Sequence, residues 1–233
     1  MLIVTSFLVG FGKIGFSGVS MITISVFAAY FGKQSVGVLL PLLVIADLTV
    51  YPVMRAHGSW RQVWPLLPPA LMGIVVGLVL LDFMPEIWAR PVIGTMILLM
   101  LGVVLWKKWK PNLSESKKFG FYSALGGGVS TTLANAAGPV MNIYLLTKGF
   151  QKMELVGIAA RFFLLINLIK LPLLGGISLI TKESLLLDLR LAPFVVLGVF
   201  FGKLMLKKVP EKLFGTLIIL FSVAAAVNLF WVR

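Results

Sequence analysis

Apolar residues run along this chain in long blocks rather than as the stripes of a water-soluble fold. Ala70–Leu81 is almost unbroken hydrocarbon and glycine, and Val92–Trp106 and Leu213–Val232 repeat the pattern. With its flanks each block reaches about 20 residues, the length that crosses a bilayer as a helix. Backbone in lipid must satisfy its own hydrogen bonds, which leaves helices or closed barrels. The blocks show no period-two alternation, so helices are expected. In order they are Met1–Gly12, Phe16–Phe31, Ser35–Met54, Val63–Phe83 and Ala89–Trp106, then Phe119–Leu125, Val129–Leu146, Leu155–Gly175, Leu189–Leu206 and Leu213–Trp231. Lys107–Lys118 between them is the one strongly hydrophilic stretch. It divides the chain into a first membrane repeat (1–106), a linker (107–118) and a second membrane repeat (119–233).

The halves resemble each other. Gly73-Ile-Val-Val-Gly77 matches Gly198-Val-Phe-Phe-Gly202, and Pro85-Glu86 matches Pro210-Glu211 at the same offset. Gly94-Thr-Met-Ile-Leu-Leu99 matches Gly215-Thr-Leu-Ile-Ile-Leu220. Gly37 and Pro52 match Gly157 and Pro172, which places Asp47 opposite Asn167. Several matches in order are the mark of a duplication.

The opening of each half is too short for two spans and is interrupted by glycine. The breaks are Gly10-Phe-Gly-Lys-Ile-Gly-Phe-Ser-Gly18 and Gly126-Gly-Gly128. Interior glycine costs a helix about 1 kcal/mol relative to alanine. Each opening is either one kinked helix or a hairpin that enters and leaves on one side. Charge favours the hairpin. With Lys107–Lys118 inside, hairpins also bring Arg55, Arg61, Lys148, Lys152 and Lys203–Lys212 inside, as the positive-inside rule asks. Met1 then lies outside, with Lys33, Arg90, Lys182, Arg190 and Arg233. A hairpin and three spans per half make an odd number of crossings, so the repeats are inverted. The expected fold is an all-α polytopic transmembrane bundle of two inverted repeats, each a broken, re-entrant hairpin plus three spanning helices. In secondary transporters of that design the substrate binds near the midplane, at the breaks.

Composition agrees with the membrane reading and removes other classes. Of 233 residues, 59% are hydrophobic and 12% charged, against roughly 25% charged in soluble domains. The net charge of +13 sits in loops without an aromatic-basic groove, so nucleic acid is not the expected partner. Cysteine is absent, which removes disulfides and thiol chemistry. Met1–Gly12 has no basic leader and no cleavage site after it, so it is expected to be part of the fold. One histidine and eight acidic residues offer no metal cluster, and neither a nucleophile elbow nor a Walker loop appears. No enzyme activity, metal or cofactor is implied.

The candidate chemistry lies at the breaks. A helix that starts inside the membrane presents unpaired N–H groups and the positive end of its dipole. Ser17 and Ser20 open the second arm of the first hairpin. Ser130, Thr131 and Thr132, with Asn135 one turn on, open that of the second. Two such ends facing each other make an anion site, and Lys13 adds a positive charge. The alternatives are that Lys13 caps a carbonyl or snorkels, and that the hydroxyls pack helices. Asp47 lies near mid-span and Lys170 about one turn beyond the middle of its own, and they either pair with each other or leave Asp47 to carry a coupling proton; Asn167, the position matched to Asp47, is grouped with them. Arg161 is expected to snorkel inward, and His57 to be a loop residue.

Those residues also carry a resemblance. Gly12-Lys-Ile-Gly-Phe-Ser-Gly18, Gly37-Val-Leu-Leu-Pro-Leu-Leu-Val-Ile-Ala-Asp47 and the His57–Trp60 loop look like the first repeat of the TauE/SafE family of sulfite and organosulfonate exporters. Thr131-Thr-Leu-Ala-Asn-Ala-Ala-Gly-Pro139, Tyr144-Leu-Leu146, Phe162-Phe163 and Asn167-Leu-Ile-Lys170-Leu-Pro172 resemble its second. Asn112–Lys118 has no counterpart there. The resemblance implies a transporter of small sulfur-containing anions in the cell (inner) membrane; with the midplane site expected from the inverted repeats, it would work by alternating access. Its partners would be the anion and the lipid bilayer, with coupling either to protons or to the membrane potential; the sequence sets no oligomeric state. An anion channel and a membrane scaffold or subunit without transport of its own are the rival readings.

Overall fold

The computed structural model describes residues 1–83 and 117–231 and, between them, positions 85, 88, 91, 94, 95, 97–99, 101 and 102. Most of the expected Ala89–Trp106 span, most of the Lys107–Lys118 linker, Glu86, Arg90 and Arg233 lie outside the described residues, as does the side chain of Lys33.

The described chain is helical, and no strand occurs among the described residues. Helix α1 (Leu2–Lys13) and α2 (Ser17–Phe31) lead through a short 3₁₀ turn into α3 (Ser35–Met54). A loop and the single turn α4 (Trp60–Val63) precede α5 (Leu67–Phe83). Then follow α6 (Lys117–Ala134), α7 (Ala137–Thr147), α8 (Lys152–Gly176), α9 (Lys182–Lys208) and α10 (Glu211–Trp231). Among the described residues four segments are long and apolar enough to cross a membrane: Ser35–Met54, Trp60–Phe83, Lys152–Gly176 and Lys182–Lys208. Capping boxes start two of them, Ser59 with Gln62 and Thr181 with Ser184. Their outer faces are apolar without cover. Val75, Val76 and Val79 on α5 and Leu197, Phe200, Phe201 and Leu204 on α9 all stand exposed. A belt of that size has lipid as its natural solvent.

Both opening segments fold back on themselves. The Thr23 hydroxyl donates to the Thr5 carbonyl across the first pair, 3.1 Å. Met1, Leu2 and Tyr30 line one surface recess with Leu187 and Arg190. The two ends of that hairpin and the start of α9 therefore share one end of the bundle. In the second pair Phe119 and Tyr144 rings meet at 5.5 Å, which brings its two ends together. At the end opposite Met1, Gln62 donates to Glu154 and the Lys152 ammonium reaches the Leu206 and Val209 carbonyls.

The second break differs from expectation. The chain does not break at Gly126-Gly-Gly128: α6 runs through those glycines and ends at Ala134. Their absent side chains serve helix contact instead. A Cβ on Gly128 would fall 2.1 Å from the Ala70 carbonyl oxygen, and one on Gly127 3.3 Å from the Met141 sulfur. Close approach of this kind is how small residues join helices in membranes, and it outweighs their poor helix propensity. The break falls at Asn135, whose φ of +53° ends the helix in the left-handed region that asparagine tolerates.

Two helix seams are built alike. Gly198 on α9 meets the Phe7 carbonyl of α1 as Gly73 on α5 meets the Leu125 carbonyl of α6; the would-be Cβ distances are 2.0 and 2.1 Å. One turn on, Gly202 packs on Ile14 and Gly77 on Thr132. In both, α1 or α6 from one half lies against α9 or α5 from the other.

Candidate functional site

The tips of the two hairpins meet inside the bundle. The first turns at Ile14–Phe16, where Gly15 has φ +99° and its missing side chain leaves room for the Phe214 ring, 2.7 Å from a would-be Cβ. Any other residue there would be strained and would collide. The second turns at Asn135–Ala136. The first residues of the two outgoing arms touch: a Cβ on Gly138 would lie 2.8 Å from that of Ser17. Two helix N-termini thus converge, and Pro139 in the first turn of α7 gives up only an N–H that has no helical partner.

Between the tips lies a cavity of about 40 Å³, room for a few water molecules or a compact ion. Lys13, Ser17 and Ser20 line it from the first hairpin. Thr131, Asn135 and Asn142 line it from the second, with Phe163 and Asn167 from α8. The Lys13 ammonium is 2.7 Å from Asp47 Oδ1 and 4.7 Å from the centre of the Phe163 ring. Asn167 donates to Asp47 Oδ2 at 2.6 Å, while its own buried Oδ1 has no hydrogen-bond partner among the described residues. The matched positions Asp47 and Asn167 therefore touch.

Lys170 does not pair with Asp47. Its buried ammonium donates to the Thr131 carbonyl (2.6 Å), the Thr131 hydroxyl (3.0 Å) and Asn135 Oδ1 (2.7 Å). It closes the carbonyl end of α6, where a cation is favoured. Since α6 ends beyond them, Ser130, Thr131 and Thr132 close the incoming arm rather than open the outgoing one. That corrects the expected placement: they lie at the carbonyl end of a dipole, not its amide end. Thr131 lines the cavity. Ser130 and Thr132 do not line it, and the Thr132 hydroxyl donates back to Gly128. Asn135 sits in the break itself, and its amide is engaged at both ends, by Lys170 and by donation to the Val36 carbonyl (2.9 Å).

Two further residues depart from expectation. Arg161 does not snorkel: it is 4% exposed. It donates to the His57, Gly157 and Arg55 carbonyls at 2.7–2.8 Å, between the Tyr51 and Trp60 rings. It binds the His57 loop to α8 because three backbone carbonyls converge there. Asn142, which sequence reasoning passed over, donates to Ser17 Oγ (2.9 Å) and the Gly15 carbonyl (3.3 Å), tying one hairpin to the other. A lone amide inside the apolar arm Ala137–Leu146 was its signal, since polar groups at such depth are costly.

Two amines share the centre with one carboxylate. Lys170 is buried and the Lys13 side chain is 11% exposed, and among the described residues Asp47 is the one carboxylate in contact with either. With both amines protonated the centre would carry one formal positive charge in excess, beside two helix N-termini.

Helices of membrane-crossing length, an uncovered apolar belt and a cationic interior at two broken hairpins define an integral membrane protein of the helical-bundle class. The sequence pattern of the sulfite exporter TauE/SafE family matches residues 2–229, and the chain belongs to that family. No curated protein and no solved structure matches it.

Proposed function

We propose that the protein is a secondary transporter of a small sulfur-containing oxyanion, with the cavity between the hairpin tips as its binding site. The excess positive charge at the centre carries this reading. An ion of one negative charge would neutralise it, and a low-dielectric interior makes that neutralisation worth far more than it would be in water. Lys13, Ser17, Ser20, Thr131 and Asn142 would face the anion. The volume suits sulfite or the head of a sulfonate. Membership of a sulfite exporter family supports the same substrate class.

The halves would act as inverted repeats about the meeting point of Asp47 and Asn167, and rocking of one against the other would give alternating access. The paired seams support this, because each joins a hairpin of one half to a long helix of the other. The fold would sit in the inner cell membrane as a multi-pass protein, with both hairpins re-entrant. The end that holds Arg55, Arg61, Lys117, Lys148, Lys152, Lys207, Lys208 and Lys212 would face the cytoplasm.

Purified protein in liposomes tests the function. Sulfite uptake accelerated by sulfite on the opposite side is the expected result. Flux that follows voltage with no such acceleration would mean a channel, and no flux would mean a scaffold or subunit.

A further inference from the structure

Lys170 stands behind the cavity rather than in it. It is 1% exposed and does not line the space between the tips. Its nitrogen reaches three oxygens, the Thr131 carbonyl, the Thr131 hydroxyl and Asn135 Oδ1, at 2.6–3.0 Å. An ammonium has three N–H bonds to donate, one for each oxygen. A neutral amine has two N–H bonds and a lone pair. The two carbonyl oxygens would take its hydrogens, and its lone pair would need the hydrogen of the Thr131 hydroxyl. That hydrogen would then turn away from the cavity, which Thr131 lines. The ammonium leaves it free to donate to an anion between the tips. It also sits at the carbonyl end of α6, where positive charge is favoured.

The ionisable groups on the helices packed against α8 leave that charge standing. Arg61, Asp82, Glu211 and Lys212 are exposed. Tyr51 lies against Arg161, and Tyr144 against Phe119. On α6 no ionisable side chain occurs between Tyr122 and the end at Ala134. Asp47 is held by Lys13 and Asn167.

We propose that Lys170 keeps its proton through the whole transport cycle and is the charge through which the membrane potential drives the anion. This rests on the transporter reading above. The empty centre then changes its exposure from one side to the other with one net positive charge. With a monoanion such as hydrogen sulfite beside Lys13, the centre is neutral. A potential negative inside draws the empty positive centre towards the cytoplasm, where it loads. The neutral loaded centre moves outward without sensing the potential. One negative charge leaves per turn, and no proton is bound or released. Lys170 is a positioning residue in this scheme, because it meets the anion through the Thr131 hydroxyl.

Liposomes buffered to the same pH on both sides test this, with the potential set by a potassium gradient and valinomycin. Sulfite should accumulate tenfold on the positive side for each step of about 59 mV. At saturating sulfite, exchange across the membrane should run equally fast with and without the potential, because only loaded centres move. In Lys170→Gln the loaded centre is negative, so exchange should become voltage-dependent. Lys170→Arg, whose guanidinium does not give up its proton, should keep the wild-type pattern. In protein labelled with nitrogen-15 lysine, the Lys170 Nζ resonance, assigned by its loss in Lys170→Arg, should have the shift of an ammonium at neutral pH. The wild-type fluxes and this resonance decide the matter even where Lys170→Gln fails to fold. Four results would each overturn the proposal and leave a transporter in place. They are accumulation that follows a pH gradient and ignores the potential, wild-type exchange that slows under the potential, loss of transport in folded Lys170→Arg, and an amine shift at Lys170. Absence of any sulfite flux through wild type would remove the transporter reading and this inference with it.

Discussion

The two hairpin tips solve one problem with different charges. Each incoming arm ends inside the protein, and each has an ammonium beside that end. In the first tip the cation belongs to the arm: Lys13 closes α1 and is balanced by Asp47 of α3. In the second it comes from outside: Lys170 of α8 reaches the Thr131 carbonyl and is met by neutral oxygens only. The seams flanking the tips share their glycine contacts, while the charges at the tips differ. The first tip is a paired amine and carboxylate that line the cavity. The second holds an amine behind it that meets no carboxylate among the described residues, so with both amines protonated the centre is one negative charge short.

Breaking the first tip should have the largest effect. Lys13→Met or Asp47→Leu alone leaves a buried charge unpaired and should cost about 3–5 kcal/mol, whereas the double variant should recover most of that stability. Denaturation in detergent micelles measures this, and a double variant no better than the singles would show that the pair does not act as a unit. Asn135→Ala attacks the second tip. It removes one of the three acceptors of Lys170 and forces alanine into a left-handed conformation, for a loss of about 2–4 kcal/mol. Asn135→Gly keeps the backbone and should lose less, as thermal unfolding of the two variants would show. Gly138→Ala pushes the arms apart at Ser17 and should cost about 1–3 kcal/mol. Gly175→Ala, with nothing within 4 Å, should stay within about 0.5 kcal/mol of wild type. Equal unfolding temperatures for those two would deny that the tips are in contact.

Helix positions were legible because lipid forces long apolar blocks: Ser35–Met54 appears with the expected bounds, and α1, α2, α8 and α10 lie within a few residues of theirs. The second break was misread because glycine was weighed by propensity alone. Inside a membrane protein Gly127 and Gly128 buy close helix contact, and the αL position went to Asn135. Lys13, Ser17 and Asp47 were visible as rare polar residues at depth. Who pairs with whom was not, since Lys13 and Lys170 sit at similar depth and only the fold decides which ammonium reaches Asp47. Arg161 was misjudged for a related reason: a long side chain near a helix end can reach water or a converging loop, and its sequence neighbours do not distinguish the two.

The proposed oxyanion site lies between the tips beside Lys13. Sulfite titrated into purified protein, with the unfolding temperature as readout, tests it most directly, because a ligand stabilises the fold it binds. Wild type and the exposed-charge control Lys212→Gln should show the same saturable rise. Lys13→Gln combined with Asp47→Asn keeps the interior free of an unpaired charge while removing the cation that lines the cavity. That variant should need at least about tenfold more sulfite, the loss of one charge-assisted hydrogen bond. An unchanged sulfite affinity in the double variant would contradict the account.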